Sequence, residues 1–125
     1  MIVGLGNDLV CIERIRRLHE QYGLRLAQRI LNEKEKQGYE RVKEKEFYLA
    51  KRFAVKEATA KALGTGFRDG IGKRDIYIEH DHLGRPMVFL QGKAETRFNA
   101  LGATKIWASI TDDGKYALAT VVLEK

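Results

Sequence analysis

The most informative stretch of the chain is Phe53-Ala-Val-Lys-Glu-Ala-Thr-Ala-Lys-Ala-Leu-Gly-Thr-Gly66. At about 100° per residue, its alanines continue an apolar helical stripe that begins at Phe47, and Glu57 and Lys61 fall close to that stripe. An ordinary amphipathic helix carries its charges on the opposite side. Because a buried carboxylate or ammonium is costly unless it is paired or bound to a ligand, this pattern indicates the border of a site. The alternative is an (i, i+4) ion pair between Glu57 and Lys61 on a solvated helix face.

A further carboxylate, Asp8, lies in the first apolar segment, Met1–Ile12, which is too short for a membrane span and is typical of a buried strand. Aspartate is disfavoured in strands, and alternation places Asp8 on the same face as Gly4 and Gly6, whose small size would leave room for a pocket. The alternative is that Asp8 caps the helix that follows. Two carboxylates on separate elements, near a lysine, suit Mg²⁺, which binds one or two carboxylates together with waters and phosphate oxygens.

The glycine-rich segment Gly64–Arg74 follows the predicted helix. It matches neither the Walker phosphate-binding loop nor the dinucleotide-binding fingerprint, so Gly64 is predicted first of all to end the helix. Cationic residues flank the segment: Arg52, Lys56, Arg68, Lys73 and Arg74. They favour an anionic ligand, although the helix dipole also favours cations near a helix C-terminus.

The composition predicts a single domain spanning residues 1–125. The lone cysteine, Cys11, fits a reducing cytoplasm and excludes a disulfide scaffold, and no signal peptide is recognised. A formal net charge of +6 predicts an acidic partner. Neither nucleic acid nor membrane is expected as a partner. The reason against nucleic acid is that many of the arginines lie on helix-like segments with few aromatic residues to stack on bases.

The order of predicted elements indicates an α+β fold. After the first strand, helices are predicted near Glu13–Glu20 and over Leu24–Leu31, Asn32–Arg41 and Glu44–Leu63. Then follow strands Asp75–Glu79 and Met87–Leu90, a helix over Gly92–Leu101, and a hairpin formed by Lys105–Thr111 and Tyr116–Leu123.

Three motifs together resemble the small bacterial 4'-phosphopantetheinyl transferases of the holo-acyl-carrier-protein synthase type. They are Gly4-Leu-Gly-Asn-Asp-Leu-Val10, Arg52-Phe-Ala-Val-Lys-Glu-Ala58 and Lys61-Ala-Leu-Gly-Thr-Gly66. The resemblance covers essentially the whole chain. It implies one α+β domain, with an antiparallel sheet packed against a long helix, that forms a homotrimer. The implied activity is Mg²⁺-dependent transfer of phosphopantetheine from coenzyme A to a serine of apo acyl carrier protein, in fatty acid biosynthesis.

The resemblance also implies roles for particular residues. Asp8 and Glu57 would bind the metal, and Glu57 and Lys61 would be catalytic, with the base being either metal-bound water or Glu57 acting through it. Substrate-binding positions would be Arg52, Lys61, Gly64, Thr65, Gly66, Arg85, Pro86 and Ser109, with Arg85 and Pro86 coming from a neighbouring subunit. Carrier-protein docking is expected at Arg14, Arg17 and Arg25, unless these are simply solvated helix positions.

One position departs from the family, because Trp107 stands where histidine is common. We expect Trp107 to fill the core, the alternative being that it stacks on the ligand. Two other functions remain open from the sequence. One is a basic, non-enzymatic binding module for nucleic acid or anionic membrane, and the other is a Mg²⁺-dependent nucleotide phosphohydrolase.

Overall fold

The computed structural model describes residues 1–125 and confirms the predicted order of helices and strands. The elements are β1 (Ile2–Cys11), α1 (Ile12–Tyr22), α2 (Leu24–Ile30), α3 (Glu33–Arg41), α4 (Lys45–Ala62), β2 (Ile76–His80), β3 (Pro86–Leu90), α5 (Gly92–Ala100), β4 (Lys105–Asp112) and β5 (Tyr116–Glu124). None of the helices has both the length and the apolar character needed to span a bilayer.

A three-stranded antiparallel sheet in the order β1-β5-β4 forms the base of the fold. Its inner face packs against α4, and the inward side chains of β5 are all buried: Ala117, Ala119, Val121 and Leu123. Ala50, Ala54 and Ala58 of α4 are fully buried, as the predicted apolar stripe requires. Strands β2 and β3 form a separate antiparallel hairpin.

The glycines of β1 allow α4 to approach the sheet closely. A Cβ atom added at Gly6 would overlap the carbonyl oxygen of Ala58, and one added at Gly4 would overlap that of Ala62. The expectation that the small size of these glycines provides the room for a pocket is therefore wrong. The helix backbone fills that space, and the glycines fix how near the helix lies to the strand.

A buried ion cluster joins α4 to α3 and β2. Lys56 is fully buried, and its Nζ donates to Glu35 Oε1 at 2.6 Å and to the carbonyl of Ile30 at 2.6 Å. Glu35 Oε2 accepts from the backbone N–H of Ile78 at 3.1 Å. Burial lowers the pKa of Lys56, and Glu35 opposes that shift. The prediction that Lys56 borders the glycine-rich loop as a ligand-binding cation is wrong, because its charge is already neutralised in the core.

Local sequence signals explain where α3 begins. The side chain of Asn32 accepts from the backbone N–H of Lys34 at 2.8 Å, and the backbone N–H of Asn32 donates to Glu35 Oε1 at 3.0 Å. This reciprocal arrangement is a capping box, which satisfies N–H groups that a helix start leaves without partners. Asn32, with which the predicted helix begins, is therefore the N-cap of α3.

Candidate active site

Asp8 of β1 and Glu57 of α4 line the same cleft, which has a volume of ≈ 560 Å³. We call it the carboxylate cleft. Strand alternation turns Asp8 towards α4, and Glu57 lies at the edge of the buried helix stripe, so the two carboxylates reach the cleft from neighbouring walls. The other lining residues include Arg14, Phe53 and Lys73.

Lys61 holds Asp8 in place. Its Nζ donates to Asp8 Oδ1 at 3.1 Å and to the carbonyl of Asn7 at 2.9 Å. The side chain of Lys61 is 53% exposed, so the inferred burial of this lysine is wrong. The alternative ion pair between Glu57 and Lys61 is not formed, because Lys61 pairs with Asp8 instead. The alternative that Asp8 caps the following helix is also wrong, because α1 begins after Cys11 without a side-chain cap.

The surroundings of Glu57 disfavour its negative charge. Partial burial raises the pKa of Glu57, and the nearby negative charge of Asp8 adds to that shift, while Lys73 and Lys61 oppose it. A divalent cation between the two carboxylates would relieve this unfavourable electrostatic environment.

The donor set fits Mg²⁺ better than zinc. No group of three or more histidine, cysteine, aspartate or glutamate side chains is assembled anywhere in the chain. Structural and catalytic zinc sites need at least three such ligands, whereas Mg²⁺ commonly takes one or two carboxylates and completes its shell with waters and phosphate oxygens.

The glycine loop follows directly on the helix turn that carries Lys61. Gly64 adopts φ +80° and Gly66 φ +61°, and their N–H groups donate to the carbonyls of Lys61 and Ala60. The prediction that Gly64 ends the helix is confirmed. Arg97, which the sequence did not single out, donates from Nε to the carbonyl of Leu63 at 2.9 Å and further satisfies the helix end.

Arg52 lies apart from the carboxylate cleft. Its guanidinium stacks 3.7 Å from the ring centroid of Tyr48, and its Nε lies 3.4 Å from Glu35 Oε2. It borders a different cavity, together with Lys51 and His80. The structure of a single chain therefore does not bring Arg52 together with Asp8 and Glu57.

Arg85 and Pro86 lie in a second cleft of ≈ 460 Å³, which we call the hairpin cleft, together with Trp107. Trp107 is 46% exposed, and its Nε1 donates to Glu124 Oε1 at 3.0 Å. The expectation that Trp107 fills the core is wrong, because this side of β4 faces away from α4. Ser109 is exposed on that same outer side. In one chain, none of these residues lines the carboxylate cleft with Asp8.

The predicted docking arginines differ in their placement. Arg14 lines the carboxylate cleft. Arg25 lines an adjoining groove of ≈ 390 Å³, which we call the helical groove, together with Leu18, Tyr22, Leu26 and Arg29. Arg17 lies outside both and pairs with Glu13 at 3.5 Å. Arg29 lines both cavities, and its position four residues after Arg25 on α2 is the signal that could have identified it.

The fold and the cleft together define a small α+β domain whose site suits a divalent cation and a phosphorylated ligand. A sequence model described as the 4'-phosphopantetheinyl transferase superfamily matches residues 4–121. The chain belongs to the 4'-phosphopantetheinyl transferase superfamily.

Similar proteins agree with this membership. The holo-[acyl-carrier-protein] synthase of Photorhabdus laumondii is 47% identical over 124 residues, covering 99% of this chain and 98% of the relative. The crystal structure of holo-[acyl-carrier-protein] synthase from Neisseria meningitidis has a TM-score of 0.93 and 41% identity, with full coverage of both chains. The Bacillus anthracis synthase, in complex with CoA (3',5'-ADP), has a TM-score of 0.84 and 31% identity, covering 100% of this chain and 98% of that one.

Proposed function

We propose that this chain transfers the 4'-phosphopantetheine group from coenzyme A to a serine of apo acyl carrier protein, leaving adenosine 3',5'-bisphosphate. The observation that carries the proposal is the cluster of Asp8, Glu57 and Lys61 beside a cleft that continues into an arginine-lined groove. The name shared by the relatives and the coenzyme bound to the Bacillus anthracis protein support it.

Asp8 and Glu57 are the residues that would hold Mg²⁺. When bound, the ion neutralises charge on the pyrophosphate oxygens and lowers the pKa of a bound water. Lys61 keeps the Asp8 carboxylate oriented through the 3.1 Å contact, and its exposed ammonium stabilises charge on the transferring phosphoryl group or on the leaving nucleotide.

The reaction also requires a proton acceptor. The serine oxygen bonds to the phosphorus, the bond from phosphorus to the bridging oxygen of the pyrophosphate breaks, and the serine hydroxyl proton must leave. Glu57 lines the cleft, and a positioned carboxylate can serve as a general base. Glu57 accepts this proton, directly or through a water molecule.

The helical groove suits an acidic amphipathic helix of the carrier protein. Leu18 and Leu26 provide apolar surface, and Arg25 and Arg29 provide positive charge beside it. Arg14 continues the positive charge into the carboxylate cleft. A helix bound there would place its serine next to Asp8 and Glu57, and the complementary charges would favour an acidic carrier.

The enzyme acts as a homotrimer in the cytoplasm. Large apolar side chains remain exposed on the outer face of the sheet: Leu5, Leu9, Trp107, Tyr116 and Leu118. A contiguous exposed patch of this kind is typical of an interface, and a small domain gains stability by covering it. Subunit association would also bring Arg85, Pro86 and Ser109 of one subunit towards the carboxylate cleft of its neighbour.

Mass measurement of the carrier tests this function. The protein is incubated with coenzyme A, Mg²⁺ and apo acyl carrier protein, and the carrier should gain one phosphopantetheine while adenosine 3',5'-bisphosphate accumulates. A phosphohydrolase would release phosphate or nucleotide and leave the carrier mass unchanged. A non-enzymatic binding module would leave both substrates intact.

A further inference from the structure

Lys73 is a cation in the carboxylate cleft whose charge no protein group neutralises directly. It lines the cleft together with Asp8 and Glu57, yet its ammonium forms no ion pair within 4.0 Å. The ammonium lies 4.4 Å from the ring centroid of Phe67 and 5.7 Å from that of Phe53. Aromatic faces attract a cation but do not cancel its charge. Lys73 therefore remains available to an anionic ligand.

The backbone that carries Lys73 is fixed on both sides. The side chain of Asn32 donates to the carbonyl of Arg74 at 2.7 Å, and Asp75 Oδ2 accepts from the N–H of Gly72 at 3.0 Å. The guanidinium of Arg74 also donates to the carbonyl of Gln28 at 2.7 Å. With its backbone anchored and its ammonium held over two rings, Lys73 loses little further freedom when a ligand binds.

Two lysines in this region have different partners. Lys61 is already bonded to Asp8 and to the carbonyl of Asn7. Lys73 is close enough to Glu57 to lower the pKa of that carboxyl, more strongly than Lys61 does, without forming an ion pair with it. Lys61, beside the cleft, thus orients the Asp8 carboxylate, whereas Lys73 lines the cleft without an ion pair and can contact substrate.

We infer that Lys73 is a further substrate-binding residue, whose ammonium contacts a pyrophosphate oxygen of coenzyme A in the carboxylate cleft. This inference rests on the proposed function. Lys73 lies beside Glu57 rather than in the helical groove, and this position favours coenzyme A over the carrier protein as its ligand.

Calorimetric binding of coenzyme A in the presence of Mg²⁺ tests the inference without relying on turnover. Lys73→Met keeps a flexible side chain on the aromatic rings but removes the charge, and Lys73→Arg keeps the charge. Lys34→Met is the matched control, because Lys34 also lies over an aromatic ring, 5.7 Å from the Tyr77 centroid, but does not line the cleft.

We expect Lys73→Met to weaken coenzyme A binding by about 10-fold or more, the size of a lost charge-assisted contact, with Lys73→Arg and Lys34→Met close to wild type. The KM for coenzyme A should rise, with little change in the KM for the carrier. Unchanged coenzyme A affinity in a folded Lys73→Met protein, or a rise confined to the carrier KM, would overturn the inference. A wild-type protein that binds no coenzyme A would instead contradict the proposed function, and this inference with it.

Discussion

Adjacent residues of α4 have opposite roles. Lys56 is sealed in the core by Glu35, whereas Glu57 is half-buried and faces the carboxylate cleft. The sequence pattern placed Glu57 at the border of the buried helix stripe, and the structure has it there, because its angular position depends only on the helix itself. It misplaced Lys56, because the burial of that lysine depends on a partner 21 residues earlier on another helix. Helical periodicity carries no information about such a partner.

The raised pKa of Glu57 predicts a pH-dependent stability for the protein without bound metal. Folding raises this pKa above its ordinary value, so the folded state favours the protonated form, and stability is lost as the pH rises through the folded-state pKa. Glu57→Gln removes the ionisable group. We expect the variant to unfold at a higher temperature than wild type at pH 7 in the presence of a chelator, and the difference to vanish below the ordinary pKa of glutamate.

Thermal unfolding at pH 7 and at about pH 3.5 measures this effect, the second value lying below the ordinary glutamate pKa of about 4.3. A variant less stable than wild type at neutral pH would show that Glu57 is stabilised by Lys73 and Lys61 rather than penalised by burial. Added Mg²⁺ should reverse the order at neutral pH, because only the wild type retains both carboxylates.

At the scale of elements, most boundaries could be predicted because their causes are local. The capping box at Asn32, the positive-φ glycine at position 64 after α4, and the turn around Gly114 each lie within a few residues of the element that they end or begin. The role of the β1 glycines could not be predicted in the same way. Small residues on a strand are compatible both with a pocket and with a closely packed helix, and only the position of α4 decides between them.

Gly6→Ala tests the close packing of α4 on β1. The added Cβ would overlap the Ala58 carbonyl, which is backbone and cannot rotate away, so we expect a loss of at least about 2 kcal/mol in the free energy of unfolding. Gly72→Ala is the control, because Gly72 has φ −114° and its nearest neighbour would be 3.9 Å from an added Cβ. Chemical denaturation measures both variants, and equal stabilities would contradict the packing argument.

At the scale of the whole molecule, strand alternation predicted which residues share a face but not which face is covered. A large aromatic side chain favours the core for Trp107, yet Trp107 lies on the outer face of the sheet with Leu5, Leu9 and Leu118. The same limit applies to Arg85, Pro86 and Ser109, whose proposed contribution to the active site depends on a neighbouring subunit. A single chain contains the metal-competent carboxylates but only part of the implied substrate-binding set.

Leu5→Glu tests the proposed trimer. Leu5 is 66% exposed on the outer face of β1 and does not line the carboxylate cleft, so glutamate is tolerated in an isolated subunit but would bury a charge in an apolar interface. We expect wild type to sediment at about three times the 14.3 kDa chain mass and the variant to dissociate and lose most of its transfer activity. Wild type that sediments as a fully active monomer would contradict the shared-site proposal.

The central claim is that the Asp8 and Glu57 carboxylates catalyse the transfer, and Asp8→Asn tests it most directly. Asp112→Asn is the matched control, since Asp112 is also partly buried and pairs with a lysine, Lys51, at 3.0 Å, but lies outside the carboxylate cleft. The measurement is the initial rate of phosphopantetheine attachment to apo acyl carrier protein at saturating coenzyme A and Mg²⁺. We predict a loss of about 10²-fold or more for folded Asp8→Asn and a rate close to wild type for Asp112→Asn. A near wild-type rate for Asp8→Asn would contradict the account.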